Sequence, residues 1–332
     1  MSAAAILAAA AEPVAQAVAQ RIPGAVLGVI TASGDRASAA FGLAQREPVA
    51  VRMARETWFD LASLTKVLFT LPTIMRLAQQ GRIALDDPLT AAIPDLRQYE
   101  MNAPERRLTF RQCLAHETHL PAVEPLYTYG QDPATLRAFI LQRAWRAGPP
   151  VYSDINFMLL GIAIERLAGA LVNAQPLPAG FAWRPDREAT AATERCAWRG
   201  RVMRGEVHDE NAYALGGAAG HAGLFGTIDG VLDAALSWLR GEEAWMEEAR
   251  ARHSEIRCLG WQAKHADWPG GDLCSDETIG HTGFTGTGLW IDPARRIAWA
   301  LLTNRVHPMR HAETGIVALR REVGDLIAGA AR

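Results

Sequence analysis

The chain has 332 residues, of which 49% are hydrophobic and 21% are charged, with a formal net charge of −2 and a pI near 6.5. This length favours one large domain or two closely packed domains with an ample core. The near-neutral charge gives no electrostatic reason to expect a nucleic acid or an anionic membrane as a partner, so small molecules are the favoured partners.

The four cysteines stand at positions 113, 196, 258 and 274, without the C-x-x-C spacing or the density of a disulfide scaffold. We interpret them as free buried thiols in a reducing compartment. No metal site or cofactor motif is evident, because the glycines between Gly216 and Gly226 follow no predicted strand and lack a G-K-S/T sequence. His116 and His119 have no third ligand at metal spacing, and we interpret them as structural.

The first predicted element is a helix in the stretch MSAAAILAAAAEPVAQAVAQRIPG. Its apolar run lacks the positively charged start of a signal peptide, and Glu12, Gln16 and Gln20 recur at helical spacing. We therefore expect an amphipathic surface helix and a cytoplasmic protein. We find no segment that approaches the length of a membrane span, and expect no membrane partner.

Two β-hairpins are predicted, one near each end of the chain. The first, GAVLGVITASGDRASAAFGLA, has two apolar runs around a Ser-Gly-Asp turn at residues 33–35. The second, GLWIDPARRIAWALLTN, has apolar residues at 290–291, a proline-containing turn, and a further apolar run at 297–302.

Between the hairpins the chain is predicted to be mostly helical, and a final helix follows the second hairpin. Predicted helices span residues 64–80, 110–114, 133–146, 156–169, 227–240 and 311–328, the last with Ile316, Leu319, Val323 and Leu326 on its apolar stripe. Strands at both ends with helices between them predict that the ends pair into one sheet around an inserted domain. We assign residues 1–60 and 256–332 to the sheet domain and 61–255 to the insertion, with a site in the cleft between them.

The stretch FDLASLTKVLFTLP contains the first candidate catalytic pair, Ser63 and Lys66. Lysine is rare in this chain: of 34 basic residues only Lys66 and Lys264 are lysines. Arginine stays protonated in proteins, whereas a desolvated lysine can lose its proton and act as a base. On a helix the S-x-x-K spacing places both side chains on one face, where the amine can take the hydroxyl proton. The alternative is a solvated helix pair without a function.

Two further stretches supply polar groups that such a pair needs. PPVYSDINFMLLG places Tyr152 in a loop directly before a helix, and TIGHTGFTGTGLWIDP places His281, Thr282 and Gly283 at the start of a glycine-interrupted strand. Glycine in a strand lets a ligand approach the backbone closely. The alternatives are a core aromatic at position 152 and a structural histidine at position 281.

In chain order, S-x-x-K, Y-S-D and H-T-G resemble the three motifs of the serine beta-lactamase and penicillin-binding-protein superfamily. The segments GRIALDDPLTAAIPDL, LTFRQCLAHETHLP and ALGGAAGHAGLFGTIDG are similar to linking segments of the branch containing class C beta-lactamases, DD-peptidases and beta-lactamase-like esterases. The resemblance covers the chain from about Gly24 to His311. It implies an α+β fold, in which an antiparallel sheet flanked by terminal helices carries an inserted all-helical domain.

The resemblance also implies a role for each motif residue. Ser63 is the nucleophile at a helix start, where the positive end of the helix dipole assists its attack. Lys66 either accepts the serine proton or holds Tyr152 as a partial phenolate, and Tyr152 passes the proton to the leaving group and then activates water. A phenol takes this role only where neighbouring cations favour its ionised form. The backbone N–H groups of Ser63 and Phe284 form the oxyanion hole.

Substrate-binding residues are expected around these groups. The resemblance places His281, with Thr282 and Gly283, on the sheet side of the pocket. Position 281 has His where beta-lactamases usually have Lys, so recognition of a substrate carboxylate is expected to be weak and pH-dependent. Asp154 stands where many relatives have Asn, and its carboxylate accepts hydrogen bonds only, so it repels an acylamide carbonyl. Because it precedes a helix, Asp154 is alternatively an N-cap.

A polar cluster in EVHDENAYALGG adds a further candidate. His208, Asp209 and Asn211 either line the cleft and contact substrate or form a surface turn.

These features predict a serine hydrolase that uses no metal and no cofactor. Its favoured substrates are carboxylic esters with short acyl chains, because Asp154 and His281 weaken the recognition expected for penicillin or D-Ala-D-Ala. An amide hydrolase acting on D-amino-acid or muropeptide fragments is the alternative. From another class, a binding protein could retain the fold without turnover. Activity is expected to rise with pH through an ionisation shared by Lys66 and Tyr152.

Overall fold

A computed structural model of the protein describes residues 1–331. Its helices are α1 (Ala3–Gln20), α2 (Leu71–Gln79), α3 (Phe110–Leu114), α4 (Pro133–Gln142), α5 (Asp154–Ala168), α6 (Glu210–Ala214), α7 (Ile228–Arg240), α8 (Trp245–Arg250) and α9 (Ile316–Ala330). Its strands are β1 (Gly24–Thr31), β2 (Arg36–Gln45), β3 (Val51–Arg52), β4 (Phe59–Asp60), β5 (Phe181–Ala182), β6 (Arg195–Cys196), β7 (Arg201–Val202), β8 (Phe225–Gly226), β9 (Gln262–Ala263), β10 (Ile279–Thr282), β11 (Gly288–Asp292) and β12 (Ile297–Thr303).

Seven strands form one antiparallel sheet in the order β3-β2-β1-β12-β11-β10-β9. The two ends of the chain meet at its centre, where Ala25 pairs with Thr303 and Thr31 pairs with Ile297. Both predicted hairpins are present, β1–β2 around residues 33–35 and β11–β12. Strands β1 and β12 are apolar almost throughout because helices cover both faces of the sheet at its centre.

Helices pack on both faces of this sheet. On one face α1 and α9 pack against each other and onto β1, β2 and β12, with Ile6, Leu27 and Val323 in one buried apolar cluster. On the other face α7 lies across β1, β12 and β11. Gly28 permits this approach, because a Cβ atom there would lie 2.6 Å from Ile228 Cγ1. The predicted antiparallel sheet with flanking terminal helices is confirmed.

The part of the chain between β3 and β9 is mostly helical, but it is not all helical as predicted. It contains a three-stranded sheet, β4-β8-β5, and the β6–β7 pair. The predicted helices at 110–114 and 227–240 are present to within one residue, whereas the one predicted at 133–146 ends at 142. Since α7 packs on the large sheet, this part of the chain also completes the sheet's cover. The domain boundaries at residues 60 and 256 remain a prediction.

The final helix differs from the prediction at its start and on its buried face. Helix α9 begins at Ile316 rather than near His311, after Gly315 with a φ of +63°, a conformation that favours glycine. Leu326 is 37% exposed, and Ile327 is buried in its place. Because the helix has 3.6 residues per turn, the buried position in its last turn falls at Ile327 rather than at Leu326.

Helix α1 is 18 residues long and, by length and composition alone, apolar enough to cross a membrane. The prediction that no segment approaches the length of a membrane span was therefore wrong. Its buried face, with Ile6, Ala10 and Val14, packs against the sheet and α9. Glu12 and Gln16 are exposed and are joined by a hydrogen bond of 2.8 Å, as their helical spacing predicted.

Candidate active site

The segment that carries Ser63 leaves β4 through a strained turn. Ala62 has a φ of +48°, which a residue with a side chain rarely adopts. The buried Asp60 carboxylate holds this turn by accepting hydrogen bonds from the N–H groups of Ala62 at 2.8 Å and His208 at 2.6 Å. Burial raises the pKa of Asp60, and these two donors act against that rise. Strain of this kind persists only where surrounding contacts impose it, and here it presents Ser63 at the start of a helical segment.

Ser63 and Lys66 lie on the same side of that segment, as their spacing predicted. The segment consists of a 3₁₀ turn at Ala62–Leu64 and a π-helical turn at Lys66–Thr70, which leads into α2. Lys66 Nζ donates a hydrogen bond to Ser63 Oγ at 3.1 Å. The predicted α-helix is thus irregular where the pair sits, and π-helical turns are frequent at functional sites.

Lys66 is fully buried, and its ammonium group has three partners. Nζ donates to Ser63 Oγ at 3.1 Å and to the His221 carbonyl oxygen at 3.0 Å, and it lies 2.8 Å from Asp154 Oδ1. Burial alone would lower the pKa of Lys66, but Asp154 and Tyr152 outweigh it and hold the pKa above its usual value. Lys66 is therefore charged at neutral pH, which corrects the prediction of a neutral amine that takes the serine proton.

Asp154 is not the N-cap of α5, so that alternative was wrong. Ser153 occupies the cap position, and Asp154 is the first helical residue, with its N–H bonded to the Ala122 carbonyl oxygen at 2.9 Å. The Asp154 carboxylate faces Lys66, and a negative charge in the first turn of a helix is stabilised by the helix dipole. Asp154 therefore balances the charge of Lys66 and remains a hydrogen-bond acceptor only.

The Tyr152 ring lies among four cationic or imidazole groups. Lys66 Nζ is 5.1 Å and Arg257 Cζ is 5.3 Å from the centre of the ring. The ring centres of His116 and His281 are 4.6 Å and 5.8 Å away. The structure thus brings the three predicted catalytic residues together around the Lys66 ammonium.

His281 is buried in β10 and is neutral at pH 7. Its Nδ1 lies 2.9 Å from the Thr282 carbonyl oxygen, so Nδ1 carries the proton. Burial, followed by the charges of Lys66 and Arg257, lowers the pKa of His281 to about 3. This corrects the expectation of a partly charged histidine, because near neutral pH His281 offers no charge to a substrate carboxylate.

His116, predicted to be structural, also forms the wall beside Tyr152. Its backbone has a φ of +57°, and its Nδ1 accepts the N–H of Ser153 at 3.0 Å, which leaves the proton on Nε2. Burial, with the charges of Arg257 and Lys66, holds the pKa of His116 well below its usual range. A neutral imidazole therefore fixes the residue that precedes α5 and, with it, the position of Tyr152.

The loop after β10 is fastened to the turn that follows β4. Thr285 Oγ1 donates to the Asp60 carbonyl oxygen at 2.7 Å, and Thr287 Oγ1 donates to the Leu61 carbonyl oxygen at 3.1 Å. A Cβ atom on Gly283 would lie 2.1 Å from Thr287 Oγ1 and 2.6 Å from Leu61 O. Only glycine allows the two backbone segments to come this close.

This arrangement leaves two backbone donors free beside the nucleophile. Within residues 1–331, neither the N–H of Ser63 nor that of Phe284 donates to another residue. Arg320 Nη2 donates to the Gly283 carbonyl oxygen at 3.1 Å and so fixes the peptide that carries the Phe284 N–H. The Phe284 side chain is 49% exposed, and its ring stacks on the His208 ring with the ring centres 5.6 Å apart. An oxyanion hole needs two N–H groups without a partner, and the predicted role of these two in such a hole stays a prediction.

The polar cluster around residue 208 is largely buried and contacts residues that bind Lys66 and the turn before Ser63. The His208 ring is 4% exposed, and its Nε2 lies 3.0 Å from Glu194 Oε2, so it is not part of a surface turn. Asp209 Oδ1 lies 2.9 Å from the Nε2 of buried His221, whose carbonyl oxygen receives the Lys66 bond. Asn211 is buried and donates to the Glu124 carbonyl oxygen at 2.8 Å. A direct contact between His208 and substrate stays a prediction.

Four residues of the site were missed by sequence reasoning: Asp60, His116, His221 and Arg257. Asp60 had a local signal, since it stands three residues before the candidate nucleophile, in a strand where a carboxylate is unusual. The other three stand outside the three catalytic motifs, and contacts between distant parts of the chain place them at Lys66 and Tyr152.

Comparisons with known proteins identify relatives of this chain. A family model described as Beta-lactamase matches residues 9–322. The N-acetylmuramyl-L-alanine amidase of Bacillus subtilis (strain 168) is 30% identical, with 87% of this chain and 79% of the amidase covered. A putative D-alanyl-D-alanine carboxypeptidase of Escherichia coli (strain K12) is 28% identical, with 77% of this chain and 71% of the relative covered.

Solved structures share the fold over nearly the whole chain. EstCE1, a hydrolase with promiscuous acyltransferase activity, has a TM-score of 0.75 at 22% identity, with 98% of this chain and 99% of EstCE1 covered. A class C beta lactamase from Rhodobacter sphaeroides has a TM-score of 0.73 at 20% identity, with 97% of this chain and 99% of the lactamase covered. The three motifs, the fold and the family match agree, and the chain belongs to the beta-lactamase family of serine hydrolases.

Proposed function

We propose that the protein hydrolyses carboxylic esters with short acyl chains through an acyl-enzyme on Ser63, with weak or no beta-lactamase activity. The observation that carries this proposal is the 3.1 Å hydrogen bond from Lys66 Nζ to Ser63 Oγ, with the same ammonium 5.1 Å from the Tyr152 ring centre. A hydroxyl, a buried cation and a phenol in this order supply a nucleophile and a means of activating it.

Because Lys66 is charged, we assign it the second of its two predicted roles, which is to stabilise the phenolate form of Tyr152. The phenolate takes the Ser63 proton as Oγ attacks the ester carbonyl carbon, and the resulting oxyanion binds the N–H groups of Ser63 and Phe284. The bond to the leaving alkoxide then breaks, and Tyr152 gives it the proton. In the second half of the cycle Tyr152 takes a proton from water as the water oxygen attacks the acyl carbon. Tyr152 then gives this proton to Ser63 Oγ as the bond between Oγ and the acyl carbon breaks, and the carboxylic acid leaves.

The preference for esters rests on Asp154 and His281. The Asp154 carboxylate, 2.8 Å from Lys66 Nζ, has no hydrogen to donate to an acylamide carbonyl. His281, with its pKa lowered to about 3, gives no positive charge to a substrate carboxylate. A simple ester needs neither contact, whereas a penicillin or a D-Ala-D-Ala peptide relies on both kinds of contact.

An amide hydrolase acting on D-amino-acid or muropeptide fragments is the second candidate. It is favoured by the names of the relatives, an amidase at 30% identity and a putative D-alanyl-D-alanine carboxypeptidase at 28%. With the cytoplasmic location that we expect from the N-terminal stretch, such an enzyme would process fragments rather than build a cell wall.

The test is a panel of nitrophenyl butyrate, D-alanyl nitroanilide and nitrocefin, measured with wild type and with Ser63→Ala. We expect butyrate to be the best substrate and the serine variant to lose at least about 1,000-fold in kcat. Ser254→Ala, which changes an exposed serine, is the matched control and should behave as wild type. Faster turnover of the anilide than of the ester, by orders of magnitude, would select the second candidate.

A fluorophosphonate probe separates both hydrolase candidates from a protein that only binds. We expect wild type to be labelled and Ser63→Ala to remain unlabelled. Equal labelling of both proteins, or of neither, would contradict an acyl-enzyme on Ser63.

A further inference from the structure

Arg257 lies between α8 and β9, with its guanidinium over the Tyr152 ring. Cζ is 5.3 Å from the ring centre, and the side chain is half-buried. No carboxylate of residues 1–331 forms an ion pair with Arg257, and its buried Nη1 has no hydrogen-bond partner there. Tyr152 is the group that acts on its charge.

None of the other groups in residues 1–331 that face Tyr152 carries a positive charge without a partner. Lys66 also favours the phenolate, but its charge is shared with Asp154 at 2.8 Å. His116 and His281 are buried and neutral, because burial lowers the pKa of each. The guanidinium is therefore the uncompensated positive charge beside the phenol.

Comparison with the buried Arg320 shows that the Arg257 side chain holds no backbone carbonyl group in the part of the chain described. Arg320 donates to the carbonyl oxygens of Gly283 at 3.1 Å and Thr287 at 2.7 Å, and so holds the loop after β10. Arg257 makes no comparable bond within residues 1–331. A partly buried charge without a partner costs free energy, and that cost falls when an anion forms beside it.

We propose that Arg257 is a positioning residue that acts through Tyr152, because its charge favours the phenolate that accepts the Ser63 proton. This inference rests on the proposed role of Tyr152 in hydrolysis. An opposite charge within about 4–6 Å shifts an ionisation by roughly one to three pH units, and the partial exposure of Arg257 places its effect at the lower end. Arg257 thereby supplies a positive charge that neutral His281 does not.

The test measures kcat/KM for nitrophenyl butyrate, a neutral ester, from pH 5.5 to 10. In Arg257→Met we expect the acidic limb of the profile to move up by about one pH unit, so that activity at pH 7 falls about tenfold and recovers above the limb. Arg257→Lys keeps a cation and is expected to move the limb by less than about half as much. Arg55→Met removes an exposed arginine paired with Asp229 at 3.0 Å, and should leave the profile unchanged.

Two outcomes would overturn the proposal. A loss of the same size at every pH would assign Arg257 a purely structural role. An unchanged profile for the butyrate ester, with activity lost only on the anionic nitrophenyl hemiglutarate, would instead make Arg257 a contact for a substrate carboxylate.

A titration without turnover keeps this inference separate from the proposed function. The tyrosinate absorbance near 295 nm is followed with pH in wild type and in Arg257→Met, and the same titration of each protein carrying Tyr152→Phe is subtracted. We expect the Tyr152 signal to appear at higher pH in Arg257→Met. Coincident curves would refute the role of Arg257, whereas ester hydrolysis that survives Ser63→Ala would refute the proposed function alone.

Discussion

Lys66 Nζ lies 2.8 Å from Asp154 Oδ1, and this ion pair joins the segment that carries Ser63 to the first turn of α5. The pair fixes the direction of the hydrogen bond at the nucleophile, because a charged ammonium donates to Ser63 Oγ and cannot accept its proton. The base must therefore be another group. Tyr152, which immediately precedes the cap of α5, has its ring centre 5.1 Å from the same ammonium and is our candidate for this base.

Asp154→Asn is expected to destabilise the protein. The substitution removes the negative charge that compensates fully buried Lys66 but keeps an amide oxygen that can accept its hydrogen bond, so we expect a cost of about 2 kcal/mol. Urea unfolding measures the loss. The matched control is Asp229→Asn, which breaks the exposed pair with Arg55 and should cost less than about 1 kcal/mol. Equal stability of the two variants would contradict the role of the Lys66–Asp154 pair.

The free energy of unfolding is expected to decrease as the pH is lowered, in part because His281 becomes protonated. Its pKa is about 3 in the folded state and near 6.5 without the fold, so the unfolded chain binds the proton first. Stability from this group is full above about pH 6.5 and is lost as the pH falls toward 3, by at most about 1.4 kcal/mol per pH unit. His116, also buried and neutral, adds a loss of the same sign.

Urea unfolding between pH 4 and 8 checks this dependence. His281→Asn has no imidazole to protonate and is expected to show a shallower slope below pH 6.5 than wild type. His311→Asn changes an exposed histidine and serves as the control. Identical slopes in wild type and His281→Asn would show that burial of His281 does not contribute.

Gly283→Ala is expected to damage catalysis more than stability. A Cβ atom at this position meets Thr287 Oγ1 at 2.1 Å and the Leu61 carbonyl oxygen at 2.6 Å, so the loop must move away from the Ser63 segment. Displacing one oxyanion donor costs about 100-fold to 1,000-fold in kcat. The control is Gly148→Ala, whose nearest contact is at 4.0 Å. Unchanged kcat for butyrate hydrolysis in Gly283→Ala would separate this loop from the oxyanion hole.

Much of the fold could be predicted because its signals are local. Turn residues at 33–35 between apolar runs predicted the β1–β2 hairpin, and the β11–β12 hairpin followed from the same pattern. The two-residue strands β4 to β8 could not be predicted, since a strand of that length has no periodicity. Leu326 was assigned to the buried face of α9 in place of Ile327 because a stripe read in steps of three and four residues leaves the last turn ambiguous.

Some features of the candidate site could also be predicted from local sequence, and others could not. The contact between Ser63 and Lys66 followed from their spacing, because residues three apart on a helical turn face each other whatever the rest of the protein does. The order of the three motifs along the chain also identified the family. The charges of the site could not be predicted in this way, because they depend on the folded environment: Asp154 keeps Lys66 protonated and burial keeps His281 neutral. A protonation state depends on desolvation and on partners from distant parts of the chain, and only folding brings these together.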